Sequence, residues 1–310
     1  MRGDDQITAI LAIIAQVDPD IILLTDFDYD LDQVALGAFA QKAAFPFHFS
    51  LPPNAGIATG LDLDGNGYLG DARDAQGYGR FKGDGGMAIL SKLAINESGV
   101  QDYSPMRWRD LAGATLPSVS GAPFPSAQAQ EIQRLSSNGH WIVPFQPEGM
   151  APFSLLAFDA TPPVFDGPED MNGLRNRDEL RLISYMIDQI EGPFIVAGNS
   201  NLDPSDGDGM SAAMDAFLSR ADLLDPFPSS LGGMVAADPA HIGDPRYDTV
   251  DWPSDGPGNL RVSYVLPSVE WAVSDAGVTW PAPDDPAAAL LGEDGLLAGA
   301  HRLVWVDIQH

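Results

Sequence analysis

Short apolar runs, each bounded by Gly, Pro, Asp or Asn, recur along the whole chain: "IILLTDFDYD", "GGMAILSKLAI", "HWIVPFQ", "FSLLAFDAT", "GPFIVAGNSNLDP", "LRVSYVLPS", "WAVSDAGVTW" and "HRLVWVDI". Apolar stretches of this length closed by turn residues are what buried strands look like in sequence. Segments of helical period stand between them. "DDQITAILAIIAQV" is apolar at Ile7, Ile10, Leu11, Ile14 and Val17, and "LDQVALGAFAQKAA" follows the first strand. "NRDELRLISYMIDQIE" reads as a helix with Asn176 or Asp178 as its cap, and "SAAMDAFLSRADL" as another. Strands and helices alternate irregularly and include hairpins, such as "HWIVPFQ" and "FSLLAFDAT" joined through "PEGMA". The reading is a mixed α/β fold rather than a βαβ repeat. Residues 52–86 and 103–135 read as long loops, and without an internal repeat or linker the 310 residues read as one domain.

Charge narrows the partners. There are 44 acidic against 16 basic residues, a formal net of −28, and no Lys/Arg cluster is visible. Nucleic-acid affinity rests largely on cations displacing counterions from phosphates, so nucleic acid is an unfavoured ligand for such a surface. At 45% hydrophobic residues the chain can bury a sizeable core, yet no stretch is long and apolar enough to span a membrane. Cysteine is absent, which removes disulfide and thiol chemistry. "MRGDDQITAIL" lacks the basic and apolar regions of a signal peptide, so the expectation for the chain as given is cytoplasmic, with an exported longer precursor left open.

Three groups of residues invite chemistry. In "DLDGNGYLGDARD", Asp62, Asp64 and Asn66 alternate ahead of Gly67, the first half of an oxygen-rich calcium loop in which the Tyr68 carbonyl would come next. An EF-hand would place Glu where Arg73 stands, so Asp71 or Asp74 has to close the site, and such an ion would order the loop rather than catalyse. The second group is polar residues at strand ends: Asp26, Asp28 and Asp30 after "IILLT", Asp159 after "LLAF", Asn199 and Asn201 after "FIVAG", Ser263 within "LRVSYVLPS", and His301 opening the last strand. The third is Arg175, Arg177 and Arg181, which either meet an anion or pair with Glu169, Asp170, Asp178 and Glu179.

The order and spacing of "PDIILLTDFDYD", "GGMAILSKLAI", "SLLAFDATPPVFDGPED", "FIVAGNSNLDP", "LRVSYVLPS" and "AHRLVWVDI" resemble the endonuclease/exonuclease/phosphatase (DNase I-like) superfamily, in a bacterial branch with "GLDLDGxG" and "TPPVFDGPEDxNG" segments. The resemblance covers nearly the whole chain. It implies an α/β, DNase I-like four-layer sandwich: two packed mixed β-sheets with helices on both outer faces. The family's first strand, which carries an Asn, has no counterpart here, since the chain opens on a helix. The family's chemistry is Mg²⁺- or Mn²⁺-dependent phosphoester hydrolysis, which needs a metal, a carboxylate to activate water and a histidine to stabilise transition-state charge.

Carried over position by position, that machinery is altered. The metal-binding Glu falls on Asp26 and the family's first histidine on Asp159. The water-activating Asp falls on Asn199, which can neither accept a proton near neutral pH nor carry charge, while the Asn two residues on is retained as Asn201. The His-orienting Asp falls on Ser263, and the terminal Asp-His pair becomes Ala300-His301. The resemblance thus implies the family fold around a degenerate phosphoesterase centre. The first rival is an active enzyme on a small phosphoester, with Asp26, Asp159 and His301 as relocated groups; the second is a calcium-stabilised binding module. A monomer is expected.

Overall fold

The computed structural model describes residues 4–309. Helix α1 (Asp5–Val17) starts where the Asp4 carboxylate accepts the Gln6 N–H at 2.9 Å and stops where Asp18 enters the left-handed region (φ 52°). Strand β1 (Ile21–Phe27) follows, then helix α2 (Val34–Lys42) and strand β2 (Phe47–Phe49). Strand β3 (Gly86–Ser91) lies between β1 and β2, antiparallel to both. A second sheet runs β10 (Ser263–Pro267), β9 (Phe194–Asn199), β8 (Phe153–Asp159), β7 (Gly139–Phe145), β4 (Gln101–Asp102), with β8 and β9 parallel and the other pairs antiparallel.

Side-chain alternation assembles these sheets into layers. Leu155 and Ala157 of β8 and Ile195 and Ala197 of β9 face Met87 and Ile89 of β3, with Trp141, Val143 and Phe145 of β7 completing the inter-sheet core. Their neighbours Leu156, Phe158 and Val196 point outward, against Leu180, Ile183 and Met186 of α4 (Met171–Ile187) and Met214 and Phe217 of α5 (Ser211–Leu218). On the opposite flank Ala88 and Leu90 pack against Ile14 of α1 and Leu36 and Phe39 of α2. The four-layer α/β sandwich is therefore present, and the strands read as unbroken apolar runs because both of their faces are buried.

Several local expectations need correction. Helix α4 begins at Met171, after Asp170 at φ 52°, so neither Asn176 nor Asp178 is its cap. Both are internal and buried: Asn176 donates to the carbonyls of Thr161 and Ser200, and Asp178 accepts from Trp108 Nε1 and the Thr115 N–H. The 103–135 loop holds the short pair β5 (Ser118–Val119) and β6 (Ala122–Pro123) and the helix α3 (Ala127–Ile132). A short helix, α6 (Leu231–Ala236), has no counterpart in the sequence reading.

The last two strands, β11 (Ala272–Val278) and β12 (Val304–Gln309), form an antiparallel hairpin. Among the described residues β1 pairs only with β3 and β12 only with β11. The remaining edges of β1 and β12 line one cavity of about 660 Å³, roofed by Ile10 and Ile14 of α1 and floored by Leu155, Ile195 and Ala197. No helix among the described residues is long and apolar enough to cross a membrane.

Candidate functional site

The alternation that sends Leu155, Ala157, Ile195 and Ala197 between the sheets sends Asp159 and Asn199 there too, two residues on. The parallel register sets Asp159 beside Asn199, and the antiparallel register sets Ser263 on the other side of Asn199. Three of the anticipated residues thus form a row across β8, β9 and β10, on the inter-sheet face. Gly198 makes the tight strand end possible: a Cβ there would stand 2.2 Å from the Phe158 carbonyl oxygen.

Asn201, at φ 51°, folds back over the row. Its Oδ1 accepts from Asn199 Nδ2 at 3.1 Å and its Nδ2 donates to the Ala160 carbonyl at 2.8 Å. Asn199 is buried, and its Oδ1 has no partner. His301 precedes β12 rather than opening it, held by bridge pairing to Val250. Its Nδ1 stands 3.4 Å from Ser263 Oγ, and Trp252 meets its ring edge-on. Asn199, Ser263 and His301 line the mouth of the same cavity that separates β1 from β12.

Asp26 reaches toward the row from the end of β1, where a register irregularity and a φ of 56° re-aim the backbone. Burial raises its pKa, and Asp28 and Asp84 add to this. Asp159 is pushed up to about 7, first by burial and then by Glu179, while Asn138 and Asn199 hydrogen-bond it and oppose the shift. Asn138 Nδ2 donates to Asp159 Oδ2 at 2.9 Å. Glu179 is fully buried behind this group, accepting from the Ser137 and Thr161 amides at 2.7 Å each, and burial raises it to about 7 as well. Sequence reasoning missed Asn138 and Glu179 as neighbours of Asp159. His301 sits exposed at the cavity mouth, and desolvation first and then Arg302 push its imidazole down to about 4, so it is neutral at pH 7.

The other strand-end acids do different work. Asp30 Oδ2 accepts from the Val34 and Ala35 amides at the start of α2, and Asp28 Oδ1 accepts from the Gly85 amide at 3.0 Å. The arginine trio does not form an anion site. Arg175 is buried and donates to the carbonyls of Gln76, Arg134, Leu135 and Ser136, while Arg177 and Arg181 pair with Asp178 at 2.8 and 3.3 Å. Ala300 contributes a backbone carbonyl to the Asp251 amide at 3.0 Å.

These residues do not make a fitted centre for the family's divalent cation. The two carboxylates, Asp26 and Asp159, both carry raised pKa values, and Asn199 and Asn201 spend their amides on each other and on the backbone. Asp26, Asp159 and His301 do not converge on one point. Among the described residues, the set of three His, Asp or Glu side chains whose ligand atoms all lie within 4.8 Å of one another is Asp62, Asp64 and Asp74.

That set is the acidic loop. Asp62 accepts from the Gly65 and Gly67 amides at 2.6 and 2.9 Å; against a burial penalty, the Gly67 and Gly65 amides hold its pKa down. Gly67 takes φ 83°, which a side chain would strain. Asn66 bonds Asp64 and Asp71, and its Oδ1 accepts from the Tyr68 amide at 2.7 Å. Of the two candidates to close the loop, Asp74 is the one in the convergent set. It is 2% exposed and fixed by the Leu63 and Gly70 amides, whereas Asp71 caps the following helical turn through the Arg73 amide.

Comparison with known proteins agrees with the architecture. The model of the Endonuclease/Exonuclease/phosphatase family matches residues 1–298. No curated protein matches. Among solved structures, an endonuclease/exonuclease/phosphatase from Beutenbergia cavernae superposes with TM-score 0.59 at 13% identity, covering 99% of this chain; the chain spans 66% of that protein's length. One from Bacteroides vulgatus gives 0.54 at 10% identity, with 98% of this chain and 90% of the other covered. The 3′ phosphatase NExo from Neisseria, bound to a product DNA hairpin, gives 0.52 at 14% identity over 98% and 95%. At these identities the superpositions speak for the fold, and the family model for membership. The chain belongs to the endonuclease/exonuclease/phosphatase family.

Proposed function

We propose that the protein is a family member whose phosphoesterase centre is impaired, a pseudoenzyme that keeps the fold for a binding role. The observation that carries this reading is the row Asp159–Asn199–Ser263. Asn199 stands where the resemblance places the water-activating carboxylate, and Ser263 stands where it places the His-orienting one. In place of that carboxylate the His301 imidazole meets the Ser263 hydroxyl at 3.4 Å, and desolvation with Arg302 beside it keeps the ring neutral. Loss of one member of such a constellation costs about 10³-fold or more in rate, and the members act as a unit. The test is to restore them. With Mg²⁺ or Mn²⁺ and an activated phosphodiester, Asn199→Asp combined with Ser263→Asp is expected to raise turnover above the parent. A parent that already turns over, and loses it on Asp159→Ala, would contradict the reading.

One observation favours the rival, an active centre on a small phosphoester. Asp159, bonded by Asn138 and placed against Asn199, titrates near neutral pH as a general acid or base does. Asp159→Ala therefore separates the two readings.

For the acidic loop the reading is a structural calcium site built on Asp62, Asp64 and Asp74, with Asn66 and Asp71 bracing it. Its support is the convergence of three carboxylates around a buried Asp74 in an oxygen-only donor set. For the ligand of the main site, the −28 net charge favours a small molecule over nucleic acid. The Neisseria relative was solved with DNA, so a labelled DNA hairpin belongs in the same binding assay.

A further inference from the structure

We propose that loop 78–82, through Tyr78, Arg80, Phe81 and Lys82, is the recognition arm of the strand-end site and takes a small nucleoside phosphate. The proposal rests on the binding role given above and names the class of ligand. Its first support is the pairing of cations. Among the described residues, the arginine and lysine side chains pair with carboxylates or, as Arg134 and Arg175 do, donate to carbonyl oxygens; Lys42, Arg80 and Lys82 do neither. Asp84, the nearest carboxylate in sequence, gives its Oδ2 to the Arg80 backbone amide at 2.7 Å and not to the guanidinium. Arg80 and Lys82 are both exposed, two positions apart. At a net charge of −28 the molecule repels anions at long range, so two free cations on one loop mark where an anion is met at short range.

The same loop offers two uncovered rings. Tyr78 is 63% and Phe81 51% exposed. Other exposed rings lean on a neighbour, Tyr185 on Tyr103 and Phe227 on Tyr247, whereas Tyr78 and Phe81 have no ring partner among the described residues. A guanidinium fork and an ammonium suit phosphate oxygens, and an open aromatic face suits a nucleobase. The backbone beneath is fixed, so little order has to be created on binding. The Gly56 amide donates to the Gly77 carbonyl at 3.0 Å and the Gly77 amide to the Asn54 carbonyl at 3.2 Å, and Gly56 and Gly79 pack so closely that neither has room for a Cβ. The Phe81 carbonyl accepts the Asp84 amide at 3.1 Å, and the Gly83 carbonyl accepts the Tyr29 amide at 2.8 Å. The loop then runs straight into the site. Gly85 donates its amide to Asp28, accepts from Asn138 through its carbonyl, and lies beside Asp26. Three residues separate Lys82 from Gly85, a reach of at most about 10 Å, within the span of one nucleotide.

The test titrates the full-length protein, in a chelating buffer, with AMP, adenosine and inorganic phosphate, and follows the backbone amides of residues 77–85 by NMR. AMP is expected to shift these amides and to bind at least tenfold more tightly than either fragment. Arg80→Gln with Lys82→Gln should erase the advantage of AMP over adenosine, and Tyr78→Ala with Phe81→Ala its advantage over phosphate. Lys42→Gln, which removes the unpaired cation of α2, should leave AMP binding unchanged. A parent whose loop amides ignore AMP overturns the proposal, and so does AMP binding that survives both double variants or is matched by phosphate alone. The chelator keeps metal-dependent hydrolysis out of the readout. Turnover on adding Mg²⁺ therefore bears on the impaired centre alone, and absence of AMP binding on the arm alone.

Discussion

At the scale of single residues, burial sets the chemistry of the strand-end row. Asp159 and Glu179 both titrate near 7 because desolvation disfavours their charged forms, and Glu179 adds repulsion to the Asp159 shift. Replacing Glu179 by Gln removes that repulsion, so the Asp159 pKa should fall toward the ordinary carboxylate range; carboxyl-carbon NMR titration reads it directly. The same shifts predict a pH dependence of stability. Both folded pKa values lie above the unfolded ones, so between about pH 4 and 7 the native state holds more protons than the unfolded state. Stability is therefore greatest at the acid side of that window and declines as pH rises through 7. Urea melts at pH 5 and pH 8, without divalent metal, should show the higher midpoint at pH 5; a higher midpoint at pH 8 would mean these carboxyls are not desolvated as described. None of this was readable in the sequence. Asp159 could be recognised at a strand end, but Glu179 lies twenty residues on and Asn138 twenty-one before it; the packing of α4 against β8 brings in Glu179, and the β7–β8 register, with Gly139 opposite Asp159, brings in Asn138.

At the scale of elements, the strands and long helices followed from period and punctuation, whereas starts and short pieces did not. The reading placed the α4 cap at Asn176 or Asp178 because polar residues there resemble a cap, yet both are buried by specific partners across the fold. The acidic loop shows the opposite case. The Asp62–Asp64–Asn66–Gly67 spacing identified its first half, while the choice between Asp71 and Asp74 depended on which one the chain turns inward. Adding Ca²⁺ in hundredfold excess over its Kd should stabilise the fold by about 2.7 kcal/mol, a melting shift of several degrees. Asp62→Asn with Asp64→Asn should abolish that shift, and an unchanged calcium response in this variant would remove the loop as its source. The open edges of β1 and β12 carry a prediction of their own. Amides of β1 bonded to β3 should exchange slowly and the alternate ones, facing the cavity, fast; uniform protection by NMR hydrogen exchange would mean something pairs with that edge.

At the scale of the whole molecule, composition and strand order determine different things. The fold was readable because eight of its strands are apolar runs whose order and spacing resemble one family. The −28 charge says little about architecture but much about conditions. Like charges on a compact body repel, and salt with a Debye length of about 8 Å at 0.15 M screens them. The melting temperature should therefore rise between 10 and 500 mM NaCl; a fall would show that local ion pairs outweigh the net repulsion. Whether the sandwich still catalyses turns, on the proposed reading, on the four positions that the family resemblance implies are replaced, Asp159, Asn199, Ser263 and Ala300, which composition and strand order cannot address. The deciding measurement is hydrolysis of an activated phosphodiester and phosphomonoester with Mg²⁺, Mn²⁺ or Ca²⁺, comparing the parent with an Asn201→Ala, His301→Ala double variant purified in parallel. An impaired centre predicts equal background rates for the two proteins, and turnover in the parent that vanishes in the double variant would contradict it.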